Sequence, residues 1–158
     1  MLDGGEDPRY VARRMIVHAS EDIGNADPRA LLVAVAAAQA VEHVGMPEVR
    51  LNLAQAAIYL ARAPKSNASY LAIKEASADV RERGHLRPPD ALRDASYPGA
   101  KKLGRGQGYV YPHDDPRGFE VDYLPDELKG RRYYRPSGNG EEADEAASEP
   151  EGPAPSET

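Results

Sequence analysis

Few residues in this sequence stand at spacings that could do chemistry, and each has a structural reading beside it. Lys65-Ser66 could form a Ser–Lys pair, the amine drawing the proton from the hydroxyl. No glycine-lined elbow or general-base partner surrounds it, so a helix cap by Ser66 is the favoured reading. Gly99-Ala100-Lys101-Lys102-Leu103-Gly104-Arg105-Gly106 approaches a phosphate-binding loop, but no Lys-Ser/Thr follows the second glycine and no strand precedes it. Gly104, Gly106 and Gly108 also lack the dinucleotide fingerprint and its βαβ setting, and read as loop glycines. His113-Asp114-Asp115 offers metal-ligand types, yet adjacent residues seldom converge on one ion, and His18, His43 and His85 show no ligand spacing. A turn capped by Asp114 or Asp115 before Pro116 is expected instead. Catalytic, cofactor-binding and metal-binding residues are therefore all expected to be absent.

A binding surface is a separate matter. Between Arg81 and Tyr111, seven bases (Arg81, Arg83, Arg87, Arg93, Lys101, Lys102, Arg105) face three acids (Glu82, Asp90, Asp94). Tyr109 and Tyr111 follow. Basic groups release counterions from nucleic-acid phosphates, and aromatic rings stack on exposed bases. Lys101, Lys102, Arg105 and Tyr109 are thus candidate DNA contacts, against the simpler reading of a solvated basic loop with core-facing tyrosines. Lys129, Arg131, Arg132, Tyr133, Tyr134 and Arg135 make a second cluster of the same kind.

The totals narrow the class. A chain of 158 residues suits about one domain. With one Phe and no Trp, alanine, leucine, valine and tyrosine must do the packing, which favours closely approaching helices. The absence of cysteine excludes disulfides and thiolate chemistry and is compatible with a reducing cytoplasm. Neither a signal-peptide pattern nor about 18 consecutive apolar residues is present. The net charge of −6 belongs to the C-terminal end: residues 137–158 hold seven acids and no Lys or Arg, leaving 20 bases against 19 acids elsewhere.

The elements that would position these groups are helices. Asp7-Pro8 and Asp27-Pro28 each read as an N-cap followed by a proline at the first helical position. The helix from Pro28 to about Val44 is apolar almost all round and reads as the buried centre of a bundle. Gly45 ends it, Pro47 starts the next, and Leu53, Ala57, Leu60 and Ala61 keep helical spacing to about Arg62. Pro64 then stops that helix, and Ser66 or Asn67 caps a fourth, which runs to Arg83 with Tyr70, Ile73, Ser77 and Val80 on one face and an Asp79–Arg83 pair. Beyond Gly84, prolines and glycines exclude long elements. A short helix from Pro89 to Ala95, a short strand at Gly108–Tyr111 and one turn at Pro125–Leu128 are expected. The expected fold is all-α: a small bundle of four or five helices with an irregular Gly/Pro/Tyr-rich C-terminal wrap. Residues 1–6 read as the remnant of a connection, because Gly4-Gly5 looks like the end of a helix. Residues 7–84 form the bundle, 85–136 the wrap packed on it, and 137–158 an acidic tail too polar to order itself.

Several strings, in order, resemble the C-terminal region of the replication-associated recombination AAA+ ATPases, called RarA or MgsA, whose eukaryotic relatives are the Werner-helicase-interacting ATPases. They are Asp3-Gly4-Gly5-Glu6-Asp7-Pro8, Val11-Ala12-Arg13-Arg14, Ala19 to Pro28, Ala54-Gln55-Ala56-Ala57-Ile58-Tyr59-Leu60-Ala61, Ala63-Pro64-Lys65-Ser66-Asn67-Ala68, Gly108-Tyr109, Tyr111-Pro112-His113-Asp114, Tyr123-Leu124-Pro125 and Arg132-Tyr133-Tyr134. The resemblance implies a non-catalytic, clamp-loader-collar-like oligomerisation domain that assembles a homotetramer. ATP and Mg would bind an ATPase module N-terminal to it, whose P-loop and acidic motifs this sequence lacks. It further implies work at stalled forks and DNA gaps, in the cytoplasm at the nucleoid, with single-stranded DNA-binding protein and DNA as partners. A DNA-binding or protein-interaction module built on loop 99–111 is the alternative. Pro64, Lys65, Ser66 and Asn67 are the most recognisable family string: Pro64, Ser66 and Asn67 set the helix–helix angle, and Lys65 is free to reach a partner.

Overall fold

A computed structural model describes residues 1–93, 96, 98–104, 106, 108–120 and 123–148, without the side chains of 90, 101, 120 and 148. Its elements are helical: α1 (Pro8–His18), α2 (Arg29–His43), α3 (Val49–Arg62), α4 (Ala68–Arg83) and α5 (Glu142–Ser148), with short 3-10 turns between them. No strand occurs among the described residues, so the fold is the expected all-α bundle with an irregular segment after α4. Gly108–Tyr111 is not the expected strand. It lies in a run of turns, and a single Tyr-Val-Tyr string has no second strand to pair with. The turn at Asp126–Leu128 forms as expected. The Pro89 helix is one turn, Asp90–Leu92, and the expected end at Asp94-Ala95 lies outside the described residues.

The chain divides into two compact units. Unit 1 comprises Met1–Glu75 and the segment from Tyr133 on; unit 2 is Ala76–Arg132. Helix α4 runs from the first into the second.

In unit 1 the capping signals work as read. Asp7 accepts a hydrogen bond from the Arg9 N–H at 2.8 Å, and Asp27 one from the Arg29 N–H at 3.2 Å. Helix α1 does not stop at Ser20. It widens into a π-helical turn over Ala19–Ile23, which carries Ile23 to full burial. Two apolar clusters result. Val11, Ala12, Ala37, Val49, Leu53 and Ala56 form one; Ala19, Ile23, Ala30, Ala34, Leu60 and Ala63 form the other. Helix α2 packs against both α1 and α3 through alanines, which let the axes approach.

The buried set differs from the expectation for α2 and α4. Helix α2 buries only Ala30, Ala34 and Ala37, while Leu32 is 69% exposed. Its apolar girdle is wider than the faces that α1 and α3 cover. Helix α4 turns its expected apolar face outward: Ile73 and Val80 are 65% and 61% exposed. It buries Asp79 instead, because Arg131 clamps that carboxylate through Nε and Nη2 at 2.9 and 2.8 Å. The expected Asp79–Arg83 pair is present but longer, at 3.8 Å.

Residues 137–148 also depart from the expected unstructured tail. The Glu142 side chain is buried, and α5 begins with it. The acidic composition conceals one carboxylate that is fully provided with hydrogen-bond donors.

Candidate functional site at the α3–α4 corner

The corner residues divide their work. Pro64 closes α3, and Ala63 is already extended, at ψ 144°. The Asn67 carbonyl accepts the first backbone bond of α4, from the Leu71 N–H at 2.9 Å. Ser66 supplies the capping oxygen: its Oγ accepts from the Ala68 N–H at 3.2 Å, and its own N–H reaches the Asp22 carbonyl at 2.9 Å. Lys65 turns back on its own helix. Its ammonium donates to the carbonyls of Leu60 (3.0 Å) and Ala63, with Ala61 at 3.5 Å. These are orphan acceptors at the end of α3, and a cation there also suits the helix dipole. Lys65, expected to be free to reach a partner, is turned onto the end of α3 in this structure.

The segment 133–142 completes the site. Ser66 Oγ donates to Glu142 at 2.6 Å, as do the Ser137 N–H (2.7 Å), the Ser137 hydroxyl (2.6 Å) and the Tyr134 hydroxyl (2.8 Å). Burial pushes the Glu142 carboxyl up, but the bonds from Ser137, Ser66 and Tyr134 outweigh it and hold it below the usual carboxylate range. Asn25 Nδ2 donates to the Tyr134 hydroxyl at 3.2 Å, and Asn139 Nδ2 to the Lys65 carbonyl at 2.9 Å. An open concavity of about 530 Å³ lies over the corner, between the His18–Asp22 pair and Ser137 with Asn139.

A second concavity of about 520 Å³ lies on the other side of Pro64, around Ile58, Tyr59 and Arg62. At its edge Asp27 accepts from the Tyr59 hydroxyl at 2.7 Å and from Arg29 Nε at 2.8 Å. Burial pushes Asp27 up, yet Tyr59 and Arg29 together bring it below its ordinary value. This arrangement fixes the α2 start and the α3 end to each other.

The loop candidates lie in unit 2. Lys102 is exposed and Tyr109 is 51% exposed; Arg105 and the Lys101 side chain lie outside the described residues. Tyr111 is half exposed as well, so these tyrosines do not face a core. Tyr111, His113 and Phe119 form a ring array, with centroids 5.2 and 6.4 Å apart. Asp115, as expected, caps a turn: its Oδ1 accepts from the Arg117 N–H at 3.0 Å.

Sequence reasoning missed Ser137, Asn139 and Glu142, and placed Tyr134 in a basic, aromatic cluster rather than at this corner. A signal was present: Ser137-Gly138-Asn139-Gly140 followed by Glu141-Glu142 is a turn leading into a helix start with acids in its first turn.

The family model described as MgsA AAA+ ATPase C terminal matches residues 1–149. An uncharacterized AAA domain-containing protein of Mycobacterium tuberculosis is 54% identical over 143 residues, covering 90% of this chain and 32% of that protein. Replication-associated recombination protein A of Escherichia coli K12 is 47% identical over 142 residues, 89% of this chain and 32% of its own length. The ATPase WRNIP1 of Dictyostelium discoideum is 42% identical over 140 residues, 85% of this chain and 16% of that protein. The chain spans about a third or less of these relatives. With its helical bundle and its Ala63-Pro64-Lys65-Ser66-Asn67-Ala68 corner, the chain belongs to the MgsA AAA+ ATPase C-terminal family.

Proposed function

We propose that this chain is the non-catalytic self-association domain of a AAA+ ATPase of replication-associated recombination, and that it assembles a homotetramer. One observation carries the reading. Residues 30–41 of α2 and 51–61 of α3 contain no charged side chain, yet both helices are open on one side. Leu32, Leu51 and Ile58 are 69%, 75% and 62% exposed, with Ala36, Gln39, Ala54 and Gln55 beside them. Solvated helix faces normally carry charge, and uncharged apolar ones normally meet a partner. Full burial of a leucine or isoleucine side chain contributes about 1.5–3 kcal/mol, so each such residue adds appreciably to assembly. Small alanines between them permit close helix approach. Leu51→Glu combined with Ile58→Glu should convert the assembly to monomers of unchanged helicity, read by sedimentation velocity and circular dichroism. An unchanged assembly would remove this face from consideration.

On this reading ATP and Mg are bound by the ATPase module of the parent protein. Its work is at stalled forks and DNA gaps, alongside single-stranded DNA-binding protein. The relatives' names support the setting in replication and recombination.

A DNA-binding role for loop 99–111 is the second reading, favoured by the half-exposed Tyr109 and Tyr111 and the exposed Lys102 of the same loop. It predicts affinity for an oligonucleotide that falls steeply with salt and drops on Lys102→Ala with Tyr109→Ala. No binding in 20 mM salt would end it.

A further inference from the structure

We infer that residues Tyr133–Ser148 act as a latch, keyed by Glu142, that closes on the α3–α4 corner and can open without unfolding the bundle. The hold is polar rather than apolar. Of the described residues from 133 to 148, Glu142 alone is buried, and its carboxylate takes four hydrogen bonds from Ser66, Tyr134 and Ser137. Further contacts register the segment: the Glu141 N–H donates to the Ala26 carbonyl at 2.9 Å, Asn139 Nδ2 to the Lys65 carbonyl at 2.9 Å, Asn25 Nδ2 to the Tyr134 hydroxyl at 3.2 Å, and Arg135 Nη1 to the Glu75 carboxylate at 2.9 and 3.0 Å. Arg29 Nη2 lies 3.3 Å from Glu141.

The approach is close enough to demand glycine. Gly140 has φ +56°, and a Cβ there would overlap the Ala26 carbonyl oxygen and lie 2.6 Å from Pro64 Cγ. Helix α5, at seven residues, is too short to persist alone. Its order therefore depends on the Glu142 contacts, whereas α1, α2 and α3 share apolar clusters that contain none of residues 133–148.

A partner that competes for Ser66 or for segment 137–142 would open the latch.

Hydrogen exchange on the full chain tests this with two unrelated substitutions. Glu142→Ala removes the key, and Gly140→Val blocks the approach without changing charge. Both should speed exchange across 133–148 at least tenfold while peptides from α3 keep wild-type protection. Unchanged protection of 133–148 in both variants would overturn the latch. So would loss of α3 protection in step with 133–148, which would make the segment part of the core.

Discussion

Two side chains of the corner satisfy backbone groups that a helix end leaves open. Ser66 serves the start of α4 and Lys65 the end of α3. Lys65→Ala should therefore lower stability by about 0.5–1 kcal/mol in urea titration, the usual worth of a cation at a helix C-terminus. Lys65→Gln should recover little of it. Glu142 adds a pH dependence whose sign is fixed by its environment. Its carboxyl is held below the usual range by Ser137, Ser66 and Tyr134, so the unfolded chain takes up its proton first. The stabilisation is complete at neutral pH and is lost as the pH falls below about 4, through the depressed value. Thermal unfolding at pH 7 and pH 3.5 should show a larger drop for wild type than for Glu142→Gln. Equal drops would refute the assignment. Pro64 and Ser66 were legible in the sequence because a proline stop and a hydroxyl cap are local events. Glu142 was not, because Ser66 lies 76 residues away and an acid in an acidic run carries no mark of its partner. The Lys65 contact was not legible because side-chain capping of carbonyls depends on the direction of the chain after Pro64.

At the level of elements, starts and stops were legible and faces only partly so. The helix spans follow from Asp-Pro starts, Gly45, Pro64 and Gly84, all of which act within a turn of their own position. Faces depend on what lies opposite. On α3, Leu53 is buried and Leu51 is 75% exposed, although both are leucines two residues apart. Leu53→Ala should cost about 2–5 kcal/mol of stability, and Leu51→Ala should change the isolated protomer by less than about 0.5. On α4 the apolar positions Ile73 and Val80 face outward, because the chain uses Arg131 to bury Asp79. An ion pair formed across 52 residues overrides a periodicity read over a few turns. Arg131→Ala would remove that clamp from the buried carboxylate and should destabilise unit 2 by about 1–3 kcal/mol. Loss of protection across α4 residues 76–83 in hydrogen exchange is the readout.

At the level of the molecule, the all-α class and the irregular segment after α4 were both legible, from periodicity before Gly84 and prolines and glycines after it. The division into two units was not, since unit 1 closes only when residues from Tyr133 on return to it. The candidate site was half visible: Pro64–Asn67 stood out, whereas the residues that fasten onto it did not. No helix among the described residues is long and apolar enough to cross a membrane. The uncharged exposed faces of α2 and α3 suit a protein surface, and a second copy of the chain is the proposed occupant. Sedimentation equilibrium on the chain at about 50 μM tests this most directly. The account predicts a mass near four times 17.1 kDa that dissociates on Leu51→Glu with Ile58→Glu. A single species of 17.1 kDa across the concentration range would contradict it.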